Sequence, residues 1–198
     1  MEQTDEYKTI TDAISEGFYS EKRSKFLAFA IHVTSEEEVK ETVEKYRRKY
    51  YDARHVCYAY VLGPEHNMFR ANDDGEPSST AGKPILGQIN RLELTDVLVI
   101  VVRYYGGVNL GTGGLIVAYR TAAADALDKC EIQTLFCEET IEHDFPYIMM
   151  DGVMRVIRNN NARILSQKYD NTCEFKLSIK RSLAGKLKAE LQKLSFNE

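Results

Sequence analysis

Nothing in this sequence approaches the roughly 20 consecutive apolar residues that a membrane helix requires, so no helical membrane span is expected. The N-terminus lacks the basic start and apolar run of a secretory signal, because Met1-Glu2-Gln3-Thr4-Asp5 is acidic and polar. Cysteine is scarce: Cys57, Cys130, Cys137 and Cys173 are scattered with no C-x-x-C pair, which favours reduced, buried thiols over a disulfide framework. These absences predict a cytoplasmic protein with no membrane partner. A basic excess is missing too. Residues 1–134 hold 16 Lys and Arg against 21 Asp and Glu, and residues 135–198 hold 10 against 9, for a net charge of -4. Bulk charge therefore gives no support to general nucleic-acid binding, although a local basic patch stays open. Internal repeats, low-complexity tracts and long linkers are absent as well.

What is present suits a globular fold. With 43% apolar and 28% charged residues over 198 positions, the chain can bury a real core in one large or two modest domains. Lys25 to Val33 is a short β-rich run, and Ser35 with an acid three residues on forms a capping-box pattern before a helix to about Tyr50. Val56, Tyr58, Tyr60 and Leu62 alternate with His55, Cys57, Ala59 and Val61, predicting a strand that stops at Gly63-Pro64. A long polar loop over residues 64–81 is expected next. Pro84 suits a helix first turn, with Ile85, Leu86, Ile89 and Leu92 at helical spacing. Val97 to Val102 is apolar at every position, as in a central strand covered on both faces. A helix presenting Leu115, Ala118, Ala122 and Ala126 on one face follows. Glu131 to Glu142 reads as one long strand leaving the first domain, with the boundary near residue 134. The remainder predicts strand, helix (147–159), strand (163–169), strand (172–179) and helix (182–194). A ferredoxin-like unit would need one more strand, and the chain ends at Ser195-Phe196-Asn197-Glu198 before supplying it.

Two polar segments carry the candidate chemistry. The first, Asn72 to Pro84, offers the carboxylates Asp73, Asp74 and Glu76, the hydroxyls Ser78, Ser79 and Thr80, and Lys83 at a helix mouth. Paired carboxylates can hold a hard cation, yet Asp-Asp-Gly is also an ordinary turn. Thr80, three residues before Lys83, echoes a Ser-x-x-Lys dyad without its other motifs. The second segment delivers five glycines within nine residues (Gly106, Gly107, Gly111, Gly113 and Gly114), with Arg103, Tyr104, Tyr105, Asn109 and Thr112 among them. Glycine lets backbone N–H groups approach an anion at a helix start, and Arg103 and Arg54 would add charge-assisted partners. The same glycines suit a tight strand-to-helix turn, and the dinucleotide fingerprint fails because Ile116 occupies its third glycine position. His55 is a candidate acid or base beside these segments. His32, His66 and His143 have no ligand spacing, so no metal and no cofactor are expected. Tyr104 and Tyr105 either stack a base or pack on strands. Lys180, Arg181, Lys186, Lys188 and Lys193 either touch RNA or form a solvated helix face.

Lys25-Phe26 after a serine, Arg54-His55, Asn72 to Pro84, and Val101-Val102-Arg103-Tyr104-Tyr105-Gly106-Gly107 through Gly114 together resemble the YigZ/IMPACT family. The resemblance is to its bacterial YigZ/YvyE type, without the RWD domain of eukaryotic IMPACT. It implies an α+β protein. Its N-terminal domain (residues 1–134) would have the fold shared by the second domain of a small-subunit ribosomal protein, elongation factor G domain IV and the GHMP kinases. Its C-terminal domain (residues 135–198) would be small and ferredoxin-like, similar to elongation factor G domain V. The resemblance further implies contact with ribosome or RNA and a link to translational control, but no transferable catalytic residues; separately, a bare C-terminal sheet edge could accept a strand from a protein partner. Two expectations follow. The first is a non-enzymatic translation-associated regulator binding ribosome or RNA through Arg54, Lys83, Arg103, Tyr104, Tyr105, Asn109, Thr112 and the Gly106–Gly114 backbone. The alternative is a hydrolase or phosphotransferase for small anions using His55, Asp73, Asp74, Glu76 and Lys83.

Overall fold

The structure is a computed structural model that describes residues 5–170 and 172–195. It divides into two units: Tyr7–Leu135, and Phe136 onward together with Asp5 and Glu6. The architecture is mixed α/β. In chain order the first unit contains β1 (Glu6–Ile10), β2 (Ser15–Glu21), β3 (Ser24–His32), α1 (Glu36–Lys49), β4 (His55–Leu62) and β5 (Met68–Asn72). It continues with α2 (Gly82–Arg91), β6 (Val97–Tyr104), α3 (Gly111–Leu127) and β7 (Ile132–Phe136). Five strands form one antiparallel sheet in the order β2-β3-β6-β4-β5, and β1 pairs separately with β7.

The apolar run of β6 lies at the middle of this sheet, as its composition predicts. Val97, Val99 and Val101 face α2 and α3, while Leu98, Ile100 and Val102 face α1, all fully buried. A strand alternates its side chains between the two faces of a sheet, so layers on both sides demand an unbroken apolar sequence. β4 follows the same rule, with Cys57, Ala59 and Val61 on the α2/α3 side and Val56, Tyr60 and Leu62 on the α1 side. The start of α1 is capped by the Ser35 hydroxyl, which accepts from the Glu38 N–H at 3.2 Å; Glu38 reaches back to the Thr34 N–H at 2.7 Å. This is the capping box read from the sequence, with the return bond displaced by one residue.

Two expectations need correction. The segment 64–81 is not one loop: Met68–Asn72 forms the edge strand β5, which the exposed sequence Met-Phe-Arg-Ala-Asn did not signal because an edge strand need not alternate. Residues 131–142 are not one strand either. The chain passes from β7 to β8 (Glu138–Phe145) through Cys137, and the two strands join different sheets.

In the second unit β8 precedes a 3-10 turn (Tyr147–Met149), α4 (Met150–Asn159), β9 (Arg163–Tyr169), β10 (Cys173–Lys180) and α5 (Arg181–Ser195). Its antiparallel sheet runs β8-β10-β9, and Ile141, Phe145, Phe175, Leu177 and Ile179 pack against Val153, Ile157, Leu187 and Leu191 of the helices. The Asp5 carboxylate accepts the Ser182 N–H at 3.0 Å and so caps α5. Among the described residues this sheet has three strands; the expected shortfall of a fourth concerns residues 196–198, which lie outside the described residues. None of the four cysteines is in a disulfide.

Glycines test the packing in opposite directions. A Cβ on Gly17 would stand 2.4 Å from the Ala126 nitrogen and 2.7 Å from the Ala122 carbonyl oxygen, so α3 lies close against β2 only because position 17 is bare. Gly87, inside α2, meets nothing within 4 Å. In urea unfolding of the full chain, Gly17→Ala should cost about 1–3 kcal/mol, whereas Gly87→Ala should stabilise by about 0.5–1 kcal/mol. Equal signs for the two substitutions would contradict the packing described.

Candidate functional site

Strand register assembles the centre of the site. Arg103 of β6 is paired across the sheet with Phe26 of β3 on one side and His55 of β4 on the other, so all three side chains emerge on the α2/α3 face at one end of the sheet. By the same alternation Tyr104 emerges on the α1 side, where its hydroxyl donates to Asp52 at 2.9 Å. Tyr104 is thereby removed from the group that the sequence placed together, and Tyr105 stays in it.

The first polar segment meets this face through Glu76. Its carboxylate is 3% exposed and accepts from Arg103 Nη1 at 2.5 Å and from the Tyr119 hydroxyl at 2.8 Å, both at Oε1; Oε2 lies 3.8 Å from His55 Nε2. Arg103 is 7% exposed, and its Nε is buried without a partner among the described residues. Its guanidinium lies 5.6 Å from the ring centroids of both Phe26 and Tyr105. The Tyr119 hydroxyl also lies 3.3 Å from Cys57 Sγ. Burial pushes both the Tyr119 and Cys57 values up, and the neighbouring Glu76 charge adds to each shift, so both remain neutral beside the ion pair. Tyr119, Cys57 and Phe26 were not among the predicted site residues. They read as ordinary core in the sequence, and only the tertiary fold shows them surrounding a charged pair.

The two aspartates take structural positions. One Asp73 oxygen accepts the Ala81 and Gly82 N–H groups at 3.0 and 2.8 Å, and the other accepts Ser79 N–H at 2.8 Å. Helix α2 has no side-chain cap of its own, so Asp73 supplies one from nine residues upstream. Burial alone would raise the Asp73 carboxyl, but the N–H groups of Ser79, Gly82 and Ala81 outweigh it and hold the value below the ordinary 3.8. Asp74, in the left-handed region at φ 44°, accepts from the Val56 N–H at 2.7 Å and from Arg47 Nη2 at 2.5 Å. Its carbonyl oxygen lies 2.7 Å from His55 Nδ1. A carbonyl can only accept, so Nδ1 carries a proton. Thr80 donates its hydroxyl to the Pro77 carbonyl at 2.6 Å and is buried, which takes it out of any dyad with Lys83.

The result is a polar cleft of about 370 Å³ lined by Arg54, His55, Arg103, Tyr105 and Asn109. Tyr105 is 48% exposed and steadied by a 3.2 Å bond from its hydroxyl to Asn109 Oδ1. Lys83 does not join this group: it lines a second cleft, between α2 and α3, with Ser79, Gly87, Ile116 and Arg120. Gly113 and Gly114 line a third depression with Tyr19 and Lys22. The glycines divide by cause. Gly106 is bare because a Cβ would fall 2.1 Å from the Arg23 carbonyl carbon, whereas Gly107 and Gly111 take φ of 82° and 72° and, like Gly113, meet nothing within 4 Å. Thr112 lies in the first turn of α3, which has no side-chain cap. The second unit offers less free charge than its lysines suggest. Lys188 pairs with Glu139 at 2.5 Å, Lys186 lies 3.9 Å from Glu190, and Lys180 sits over the Phe136 ring at 3.4 Å.

The Asp73 cap carries a sign that can be checked. A carboxyl whose folded value lies below its unfolded 3.8 contributes stability that is fully present above 3.8 and is lost as pH falls through the folded value. Asp73→Asn should therefore be less stable than wild type by about 1 kcal/mol at neutral pH, with the gap narrowing below 3.8. A gap that does not change with pH in denaturant titrations would contradict the cap.

The model of the Impact N-terminal domain matches residues 22–127, the span that contains both polar segments. The IMPACT family member YvyE of Bacillus subtilis (strain 168) is 31% identical over 173 residues, covering 87% of this chain and 79% of that protein. YigZ of Escherichia coli (strain K12) is 32% identical over 178 residues, covering 88% of this chain and 86% of its own length. A crystal structure of a hypothetical protein superposes with a TM-score of 0.73 at 29% identity, over 97% of this chain and 94% of that one. With one family model matched over more than half its length and relatives matched over nearly all of it, the chain belongs to the IMPACT family.

Proposed function

We propose that the protein is a non-enzymatic regulator associated with translation, and that it docks ribosome or RNA through the cleft at Arg54, His55, Arg103, Tyr105 and Asn109. The observation that carries this reading is the cleft itself. Its lining combines two guanidinium groups with an exposed tyrosine, and the Glu76 carboxylate next to it is already engaged by Arg103. Arg54 makes no side-chain hydrogen bond or ion pair among the described residues, which leaves its charge for an incoming phosphate. The open backs of Gly107 and Gly111 and the start of α3, which has no side-chain cap, favour anion approach in the adjoining segment. The translational setting rests on the family resemblance, whose eukaryotic members are linked to translational control. The same resemblance supports an N-terminal fold like that of the ribosomal protein and elongation factor domains, with a boundary near residue 134. The βαββα order and the β8-β10-β9 sheet support a ferredoxin-like second domain.

The enzymatic alternative draws less from the geometry. Both carboxylates of Asp73 and Asp74 accept backbone N–H groups, and Lys83 opens onto a different cleft from His55 and Glu76. Five groups that looked clustered in the sequence therefore do not face one reacting centre.

Arg54 is a better probe than Arg103, because removing Arg103 would strand the buried Glu76 carboxylate. Ribosome co-sedimentation should weaken in Arg54→Ala, and the slope of log affinity against log salt should fall by roughly one, the value of one lost phosphate contact. An unchanged slope would remove Arg54 from the interface; no sedimentation of wild type at low salt would overturn the reading.

A further inference from the structure

Beyond phosphate docking, the cleft has the dimensions and lining of a site for one unpaired nucleotide. Its roughly 370 Å³ falls at the small end of ligand sites, which run from about 300 to 1,000 Å³, and cannot admit a duplex. One wall is the ring of Tyr105, half exposed and fixed in place by Asn109, with the Arg103 guanidinium behind it. An exposed aromatic ring backed by a cation is a stacking platform for any base. Arg54 and His55 line the same cleft, and Arg103, more than nine-tenths buried, carries an Nε without a partner among the described residues. A flat aromatic surface and cations thus line one space of the size of a single nucleotide.

A second, independent observation extends the path. β2 and β3 are joined by the two-residue turn Lys22-Arg23, with φ of 44° and 67° and register Glu21 opposite Ser24. Two positive φ values in a two-residue hairpin define a type I′ turn, whose usual residues are Asn and Gly. Long side chains there are disfavoured by about 1–2 kcal/mol per residue. Lys22 and Arg23 are exposed, and neither side chain has a hydrogen bond or ion pair among the described residues. The turn abuts the site: Gly106, the residue after Tyr105, donates its N–H to Ser24 Oγ at 3.1 Å and has no room for a Cβ against Arg23. Strained cations next to a stacking ring have a physical reason if a charged backbone runs past them.

We infer that the site takes single-stranded RNA: one base stacks on Tyr105, its phosphate lies between Arg54 and Arg103, and the neighbouring backbone passes over the Lys22-Arg23 turn. This rests on the docking reading above and names the form of nucleic acid it receives. The test uses the full chain and a single-stranded RNA oligonucleotide carrying 2-aminopurine, with a duplex of the same sequence as competitor. Wild type should quench the probe on binding, and the duplex should compete poorly. Tyr105→Leu should lose the quench and at least about fivefold in affinity with its salt slope unchanged, while Tyr105→Phe should behave as wild type. Arg23→Gly should lower the salt slope by about 0.7 and raise the unfolding temperature, since glycine relaxes the turn. If Tyr105→Leu binds and quenches as wild type does, or the duplex competes equally, the stacking inference is overturned while RNA docking stands. If wild type binds neither form at low salt, the docking reading falls with it.

Discussion

The buried ion pair between Arg103 and Glu76 is the contact on which the rest of the site depends. Each charge lies within the core-facing side of the sheet, where an unpaired charge costs several kcal/mol, so neither residue can be placed there without the other. Arg103 comes from the end of the central strand and Glu76 from the loop before α2, so their pairing joins two segments 27 residues apart into one surface. Around the pair, Tyr119 donates to the same carboxylate oxygen, Phe26 and Tyr105 lie near the guanidinium, and His55 faces the second oxygen.

That arrangement also explains why the loop from Asp73 to Thr80 is ordered without regular structure. Asp73 caps α2, Asp74 ties the loop to β4 and to Arg47 of α1, and Glu76 anchors it to β6. Three acids in four residues would repel one another in a flexible segment; here each has a separate donor set. The loop is a brace whose acidic side chains are taken up by donors of the protein, leaving Arg54 and Tyr105 of the cleft without an acidic partner among the described residues.

The central strand, the capping of α1 and the apolar face of α3 were legible because each follows from a period or a local pairing of neighbours. Val97 to Val102 could satisfy its composition only between two layers, and it does. The edge strand β5 was hidden because exposure on one side removes the alternation, and the break at Cys137 was hidden because both flanking strands share a β-rich composition. At the site, sequence proximity misled. Asp73, Asp74, Glu76 and Lys83 looked like one cluster, yet backbone N–H groups claimed the aspartates and the start of α2 turned Lys83 to another cleft. Tyr104 and Tyr105 looked equivalent, yet Tyr104 packs on the α1 side of the sheet while Tyr105, just past the end of β6, lines the cleft. Tyr119 and Cys57 carried no local signal, because their contribution depends on which loop folds over them.

A double-mutant cycle on Glu76→Gln and Arg103→Met, followed by urea unfolding of the full chain, tests the central pairing most directly. Each single variant should lose about 3–5 kcal/mol by stranding the other charge, and the double variant should lose less than the sum by about 1–3 kcal/mol. Losses that add to within about 0.5 kcal/mol would mean that the two residues do not hold each other, and that the two loops are not joined as described.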